Sequence, residues 1–361
     1  MTVPVTHGKA RLLGAECELT LVIPHQWPGY ASEQLPEPEG FVLERLPIYF
    51  PGHNHLHFYK DLGSILMKYK PDLVHIDEEP YSLVTTQAMF LSKKVGAKAI
   101  AFTWQNIFKK YPPPFAQMER YVYKNAPAII AGNQEAAGIL RAKGYSGLIP
   151  VIPQFGIDLA LFSPQLADKS RFSIDEKTLS VAYVGRLVPE KGVDTLIRAA
   201  AMLDQVTVYI VGMGPAQRQL EKLALSYQLG KRVRFLGGLP STEVPAFMAS
   251  VDVLVLPSRT TARWKEQFGR VLVEAMASGT AVVGSNSGEI PHVIGDAGLV
   301  FAEGDAEDLA AALQRLQEPS FRFAMVQRGL ERAKLFSQER IVQATLQVYR
   351  QVLEGDVDPL D

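Results

Sequence analysis

Short β-branched runs alternate with longer helical patterns along the whole chain, and this alternation most constrains the fold. A strand that pairs in parallel with the next needs a crossover between them, usually a helix. A first series of strands is predicted at 17–24, 41–47, 72–77, 98–104, 128–133 and 148–153. A second series is predicted at 179–185, 206–212, 233–237, 252–258, 281–285 and 298–303. The pattern predicts an α/β protein with two doubly wound, Rossmann-like domains.

The two series meet near residues 153–164, where proline, glycine and aspartate interrupt the periodicity. The chain has 361 residues, the length of two ordinary domains. We therefore predict one domain over 1–158 and a second over 159–337. The remaining residues, 338–361, begin with an amphipathic pattern at 338–353 that predicts a terminal helix with no strand after it.

The start of the chain departs from this pattern. A doubly wound domain normally opens on its central strand and a phosphate-facing glycine loop. Here residues 7–15, "HGKARLLGA", already have a helical pattern. We therefore expect either that the first strand is missing or truncated, or that residues 2–5, "TVPV", are its stub.

Composition excludes several classes of function. The formal net charge of -1 argues against a nucleic-acid partner. The single cysteine, Cys17, allows no internal disulfide, and no Cys/His cluster has zinc spacing, so a reducing cytoplasm is expected. No apolar run reaches the roughly 18 residues of a membrane span, and the N-terminus lacks the apolar middle of a signal peptide. Peripheral contact with a membrane is left open.

The first strand end of the second series carries a pair of cations in "YVGRLVPEKG". Ligands of open α/β sheets bind beyond the carboxyl ends of the strands. Gly185 allows a tight turn, Arg186 offers a planar donor fork, and Lys191 adds a point charge near the next helix. Arg186 and Lys191 could instead be ordinary solvated charges. However, the N-terminus of a helix is normally stabilised by acidic rather than basic side chains. The pair therefore indicates a bound anion such as a diphosphate.

The next strand end, "IVGMGPAQRQL", supplies Gly212 and Gly214. A lone G-x-G is a weak signal, because tight turns between strand and helix use glycine for packing as often as for ligands.

A third strand end leads into "KEQFGRVLVEAMASG". Phe268 and Gly269 stand where a helix should begin, so their backbone N–H groups can face an anion or a sugar hydroxyl. Glu266 lies before that helix and Glu274 within it, so they would reach different parts of one elongated ligand. Both could instead be ordinary helix acids, but apolar residues flank Glu274, and a buried carboxylate needs partners.

The order and spacing of these pieces closely resemble the retaining glycosyltransferases of family 4, which have the GT-B fold. The shared pieces are G-R-x4-K-G, the G-x-G turn, "PS", E-x7-E within "EQFGRVLVEAMASGTAVVGSNSGEIP", and "GDAGLVF". The resemblance covers most of the chain and is strongest over 156–300. It implies an acceptor-side first domain and a nucleotide-sugar-binding second domain that face across a cleft, with the terminal helix crossing back to the first.

The resemblance also implies roles for single residues. Arg186 and Lys191 would bind the donor diphosphate, Glu266 would contact sugar hydroxyls, and these three are expected to be catalytic. The residues expected to bind the nucleotide sugar are Gly185, Gly212, Gly214, Phe268, Gly269 and, through the ribose, Glu274. The implied reaction moves a hexosyl-type sugar from a UDP- or GDP-sugar to an acceptor hydroxyl with retention, without a metal or other cofactor. The acceptor would be a glycan or lipid-linked molecule, in polysaccharide, glycolipid or cell-envelope glycan synthesis.

The first half departs from the family at two strand ends. Where many relatives have a histidine, "TWQN" offers Gln105 and Asn106, which we expect to replace it as acceptor-side hydrogen-bonding groups. At "HIDEEPYS", Glu78 and Glu79 are further acceptor-side candidates, although a solvated loop fits equally well, and His75 is expected to be a satisfied structural histidine. The basic, aromatic stretch 104–115 could rest on anionic headgroups.

Two other functions stay open from the sequence. A sugar-nucleotide epimerase with the GT-B fold would use the same cleft without an acceptor. A non-catalytic nucleotide-sugar-binding protein would explain the missing first strand and the absent histidine.

Overall fold

The computed structural model describes residues 4–28, 30, 31 and 38–355, and the chain divides into two compact units. Unit 1 runs to Gly156 and resumes at Gln338, and unit 2 spans Ile157–Ser337. The division thus lies two residues before the predicted boundary at 158.

The described part of unit 1 contains two sets of parallel strands and two short antiparallel pairs. The strands are β1 (Thr20–Pro24), β2 (Gln26–Trp27), β3 (Tyr30–Ala31), β4 (Val42–Leu46), β5 (Ile48–Tyr49), β6 (Phe58–Tyr59), β7 (Leu73–Ile76), β8 (Lys98–Thr103) and β9 (Ile129–Ala131). The helices before unit 2 are α1 (Pro4–Gly14), α2 (Leu62–Tyr69), α3 (Leu83–Lys94), α4 (Phe115–Asn125) and α5 (Gln134–Ala142). The short strands, which pair as β2 with β3 and β5 with β6, had no signal in the sequence, because two-residue pairs carry no periodicity.

The parallel strands of unit 1 lie in two separate sheets, a division that the alternation of strands and helices did not predict. β1 pairs with β4, and β7, β8 and β9 form a three-stranded sheet. Among the described residues nothing pairs with the second edge of β1 or of β7. The expected stub at 2–5 does not supply a strand in the described part, because α1 begins at Pro4; Thr2 and Val3 lie outside the described residues.

The predicted strand at 148–153 was wrong. Leu148 and Val151 form only isolated parallel bridges, to Ala128 and Ala131. Prolines at 150 and 153 remove two backbone donors from this segment, so a continuous ladder cannot form there. The predicted first helix is confirmed as α1.

Unit 2 is one six-stranded parallel sheet covered by helices. The strands are β10 (Leu179–Val184), β11 (Val206–Val211), β12 (Val233–Gly237), β13 (Val253–Leu256), β14 (Ala281–Ser285) and β15 (Leu299–Phe301). The helices are α6 (Val193–Ala201), α7 (Gln217–Ser226), α8 (Val244–Ser250), α9 (Arg270–Ala277), α10 (Ile290–Ile294), α11 (Ala306–Gln317) and α12 (Pro319–Ala333). All six predicted strands of this half are confirmed.

The order of the strands in unit 2 is β12-β11-β10-β13-β14-β15, so β10 and β13 are neighbours. The chain builds outward from β10 on one side and then outward from β13 on the other, which is the doubly wound arrangement. The central strands are buried almost throughout, because helices cover both faces of the sheet. The order reverses between β10 and β13, and the loops that follow these two strands therefore border the crevice of the sheet.

The last helix, α13 (Gln338–Glu354), belongs to unit 1. Its Ile341 and Val348 are buried in one cluster with Ile100 and Phe102 of β8. The alternate residue Ala101 lies in the core cluster on the opposite face of that sheet. Covering both faces of β8 explains why its residues 99–102 are apolar without interruption.

Candidate functional site

The strand order brings two predicted site residues of unit 2 into direct contact. Lys191 ends the short helical turn Pro189–Lys191 after β10, and Glu266 lies in the loop after β13. Lys191 Nζ is 2.6 Å from Glu266 Oε2, and the same oxygen accepts a hydrogen bond of 2.8 Å from the Ser258 hydroxyl. Glu266 is only 8% exposed. A carboxylate in this position is stabilised by its partners rather than by water.

Arg259 connects the loop after β13 to the loop after β10. Its backbone N–H donates to the carbonyl of Glu190 at 2.8 Å, next to Lys191. Its Nη2 lies 2.8 Å from Asp194 Oδ2 and 2.6 Å from the Thr195 hydroxyl, both in the first turn of α6. The turn that carries Lys191 and the helix after it are therefore held from the β13 side by one residue, which the sequence interpretation did not identify.

The loop after β14 fixes the backbone of Glu266. The N–H of Glu289 donates to the Glu266 carbonyl at 3.1 Å. A Cβ at Gly288 would lie 2.0 Å from that carbonyl oxygen, so only glycine fits there. The Ser285 hydroxyl donates to the Ser258 carbonyl at 2.5 Å. Ser258 and Gly288 thus position Glu266; both lie in motifs that had been recognised but given no role.

Glu274 lies inside α9, whereas Glu266 lies before it, as their spacing predicted. Glu274 Oε1 is 2.7 Å from Arg270 Nε, one turn earlier. Burial raises the pKa of Glu274, and the Arg270 charge opposes that rise. Gly269 caps the helix with a φ of 77°, a conformation that glycine adopts without strain. The Phe268 ring packs against Phe336, so this residue could contact a ligand only through its backbone.

Arg186 differs from Lys191 in its surroundings. It is exposed, and among the residues that the structure describes its guanidinium has no ionic or hydrogen-bonded partner. Its backbone is fixed, because the Tyr183 hydroxyl donates to the Arg186 carbonyl at 2.8 Å. The five donors of this side chain are available to a ligand.

The predicted glycines hold the loops after β10 and β11 together. A Cβ at Gly212 would lie 1.8 Å from the carbonyl oxygen of Gly185, and one at Gly214 would lie 2.2 Å from that of Leu187. These glycines are therefore required for packing beside Arg186, the alternative that the weak G-x-G signal had left open. Contact with a ligand stays a prediction for all three.

The acceptor-side candidates of unit 1 lie at the ends of β7 and β8. Glu79 accepts a hydrogen bond of 2.6 Å from the Thr103 hydroxyl and one of 2.8 Å from the Trp104 N–H. Gln105 accepts from Lys143 Nζ at 3.1 Å and donates to the Ile107 carbonyl at 3.2 Å.

Asn106, another acceptor-side candidate, is buried, with 5% of its surface exposed. Glu79 and Gln105 both use their side chains within the fold, so they shape this region whether or not they bind an acceptor.

Burial raises the pKa of Glu78 to about 7, with further contributions from the neighbouring Asp77 and Glu79 carboxylates. Burial likewise raises the pKa of Glu79 to about 7, against the effect of its hydrogen bond from Thr103. Two carboxyl groups that titrate near neutrality are unusual, and such groups concentrate at functional sites.

The raised pKa of Glu78 makes stability depend on pH. The folded value lies above the ordinary value of 4.5, so the folded protein binds more protons than the unfolded chain between those pH values. The free energy of unfolding therefore falls as pH rises through this window. Glu78→Gln is expected to be more stable than wild type by about 1–2 kcal/mol at pH 8 and equal to it at pH 4. Urea unfolding at both pH values measures this, with the exposed Glu18→Gln as control; equal stabilities at pH 8 would contradict it.

Only one of the two ring nitrogens of His75 has a hydrogen-bond partner among the described residues, contrary to the prediction of a satisfied structural histidine. It lies in β7, and its Nδ1 is hydrogen-bonded to the Tyr349 hydroxyl at 2.7 Å. Its Nε2 is buried and has no hydrogen-bond partner within the described part of the chain. Burial lowers the pKa of His75 to about 4, so the ring is neutral at physiological pH.

Among the described residues, no group of three or more histidine, cysteine, aspartate or glutamate side chains is placed to hold a metal ion. None of the helices found there has the length and apolar character that crossing a bilayer demands.

The second half of the chain is similar to a known protein family. Residues 165–332 match the family described as glycosyl transferases group 1. The D-inositol 3-phosphate glycosyltransferase of Salinispora tropica is 33% identical over 267 residues, covering 66% of this chain and 54% of the relative. The lipopolysaccharide core biosynthesis glycosyltransferase LpsE of Rhizobium meliloti is 32% identical over 234 residues, covering 63% and 65%. The chain thus spans less than two thirds of the length of these relatives.

Solved structures match over nearly the whole chain. Sucrose-phosphate synthase from Thermosynechococcus elongatus has a TM-score of 0.76 at 24% identity, covering 96% of this chain and 92% of the other. HepE from Anabaena, solved with UDP, has a TM-score of 0.70 at 22% identity, covering 86% and 87%. At these identities the likeness concerns the fold alone. The chain has the GT-B fold with two Rossmann-like domains, and its residues 165–332 match the glycosyl transferases group 1 family.

Proposed function

We propose that this chain is a retaining glycosyltransferase that moves a sugar from a nucleotide diphosphate donor to an acceptor hydroxyl. The observation that carries the proposal is the meeting of Lys191 and Glu266 where the strand order of unit 2 reverses. On the same loop as Lys191, the Arg186 guanidinium has no ionic or hydrogen-bonded partner among the residues that the structure describes. A crevice at this place is where open α/β sheets bind ligands. Two cations there suit a diphosphate, and a carboxylate beside them suits sugar hydroxyls.

The chemistry requires negative charge to be stabilised where it develops. When the bond between the sugar and the diphosphate breaks, the diphosphate gains charge and the sugar becomes cationic in character. Arg186 and Lys191 would stabilise the leaving diphosphate, and Glu266 would hold the sugar beside it. In this proposal the protein's own cations perform that task, and no metal or other cofactor is required.

The donor in the proposal is a UDP- or GDP-sugar. The solved HepE structures contain UDP and UDP-glucose, which supports a nucleotide of this kind for a protein of the same fold. The acceptor would be a glycan or a lipid-linked molecule, as the names of the relatives that act in lipopolysaccharide core and O-antigen synthesis suggest. Glu78, Glu79, Gln105 and Asn106 are the proposed acceptor-side residues, and contact with a membrane surface belongs to the same proposal.

Product analysis tests the reaction. The protein is incubated with UDP- and GDP-hexoses, with and without a panel of glycan and glycolipid acceptors, and products are followed by proton NMR. A product whose anomeric configuration equals that of the donor is expected. An inverted product, or epimerised nucleotide sugar formed without acceptor, would contradict the proposed activity.

Glu274 is proposed to bind the ribose, and its surroundings give a separate prediction. Burial raises the pKa of this group, so the empty protein bears a cost for keeping it ionised, partly offset by Arg270. Glu274→Gln is expected to weaken UDP or GDP binding about tenfold or more. The free energy of unfolding of the empty variant should not fall. Calorimetric titration and urea unfolding measure the two quantities, with the exposed Glu331→Gln as control; unchanged affinity would refute the ribose role.

A further inference from the structure

Trp264 lies against the ammonium group that is proposed to bind the diphosphate. Lys191 Nζ is 4.9 Å from the centroid of the Trp264 ring and 2.6 Å from Glu266 Oε2. Two residues of the same short segment thus contact one cation, the first with an uncharged aromatic face and the second with a carboxylate. The sequence interpretation gave Trp264 no role.

The backbone around Trp264 is fixed by a compact turn. The Thr261 N–H donates to the Trp264 carbonyl at 2.7 Å, and the Trp264 N–H donates to the Thr261 hydroxyl oxygen at 3.0 Å. The Arg263 N–H donates to the same oxygen at 3.3 Å. Thr261, Ala262 and Arg263 are exposed, whereas Trp264 is half-buried. The turn therefore directs the aromatic side chain inward from a solvent-facing loop.

The two contacts to Lys191 respond differently to an arriving anion. The Glu266 carboxylate neutralises the ammonium group in the empty site, and a diphosphate would compete with it for the same donors. An aromatic ring attracts a cation through its quadrupole and carries no net charge. Trp264 can therefore hold Lys191 without repelling the phosphate oxygens.

We propose that Trp264 is a positioning residue for the donor diphosphate: its ring holds the Lys191 ammonium in place while the charge contact passes from Glu266 to the diphosphate. This inference rests on the proposed function. It explains why a large aromatic side chain is directed towards the cation by an otherwise exposed, polar loop.

The test measures donor binding in variants that keep or remove the ring. Trp264→Leu keeps apolar bulk and is expected to raise the Kd for UDP about tenfold, whereas Trp264→Phe should stay within about threefold of wild type. The KM for the sugar nucleotide should rise in Trp264→Leu more than kcat falls. Phe321→Leu is a matched control, because the Phe321 ring lies under Arg315 Cζ at 4.7 Å elsewhere in unit 2, and its UDP affinity should not change.

A second readout does not depend on turnover or on the folding of Trp264→Leu. Titration with UDP should change the tryptophan fluorescence of the wild-type protein, and most of that change should be lost in Trp264→Phe. If wild type binds UDP but Trp264→Leu binds it equally well, or if the fluorescence change survives in Trp264→Phe, the inference fails while the proposed function stands. If wild type binds neither UDP nor GDP, both fail.

Discussion

Lys191→Met is expected to lower kcat/KM for the nucleotide sugar by about a thousandfold. The methionine removes a cation from the place where the leaving diphosphate gains charge, and such fixed charges act more strongly in the transition state than in the ground state. The fall should therefore appear in kcat as well as in KM. Steady-state kinetics with saturating acceptor measure both parameters.

This variant also leaves the Glu266 carboxylate without its ammonium partner in a buried place. A loss of stability would follow, because a buried carboxylate that loses its counter-charge is costly. The double variant Lys191→Met with Glu266→Gln relieves that cost and should fold as well as wild type while staying inactive. Lys231→Met, an exposed position of unit 2, is the control. Activity within threefold of wild type in the double variant would contradict the role of Lys191.

Glu266→Gln is expected to lower kcat by about a hundredfold. The amide can still accept the Ser258 hydrogen bond, but it no longer carries the charge that neutralises Lys191 and faces the sugar as it becomes cationic. Affinity for UDP alone should rise, because the carboxylate no longer competes for the Lys191 ammonium. Kinetics and calorimetric titration measure the two effects, which have opposite directions.

A variant that merely disturbs the fold would lower both activity and affinity for UDP. Glu266→Gln should therefore be compared with Ser258→Ala, which removes only the hydroxyl that positions the carboxylate, and with the exposed Glu331→Gln. We expect a smaller fall in kcat for Ser258→Ala and none for Glu331→Gln. Weaker UDP binding by Glu266→Gln than by wild type would contradict the competition between carboxylate and diphosphate.

The sequence was sufficient to predict the sheet of unit 2. Strands such as β11 and β13 are apolar throughout because helices cover both faces, and a run of that kind stands out between helical patterns. The ends of these strands then mark where ligands bind, so Arg186, Lys191 and Glu266 could be selected from their positions alone. The charges of Arg186 and Lys191 pointed to an anionic ligand.

Contacts within the site could not be predicted, because they depend on which strands are neighbours. Lys191 and Glu266 are 75 residues apart and meet only because β10 pairs with β13. Arg259 and Trp264 act through these same loops. In the sequence alone they are merely a charged and an aromatic residue of a loop segment.

Unit 1 was predicted less well for a related reason. Its parallel strands form two sheets, and its second edges lack partners among the described residues, so the alternation of strands and helices did not determine the pairing. His75 is also hydrogen-bonded to Tyr349, which lies in α13, 274 residues later in the sequence. The periodicity of a sequence predicts on which face of a strand or helix a residue lies, but it does not predict which other element packs against that face.

The central claim is that the loops after β10 and β13 form the donor site. Its most direct test is calorimetric titration with UDP and GDP of two proteins, the wild type and Arg186→Ala. Arg186 has no partner in the described structure, so its removal should leave the empty fold unchanged while weakening diphosphate binding about tenfold or more. We predict saturable binding of at least one nucleotide to wild type and this loss in the variant. Failure of wild type to bind either nucleotide, or equal binding by Arg186→Ala, would contradict the assignment of the loops after β10 and β13 as the donor site.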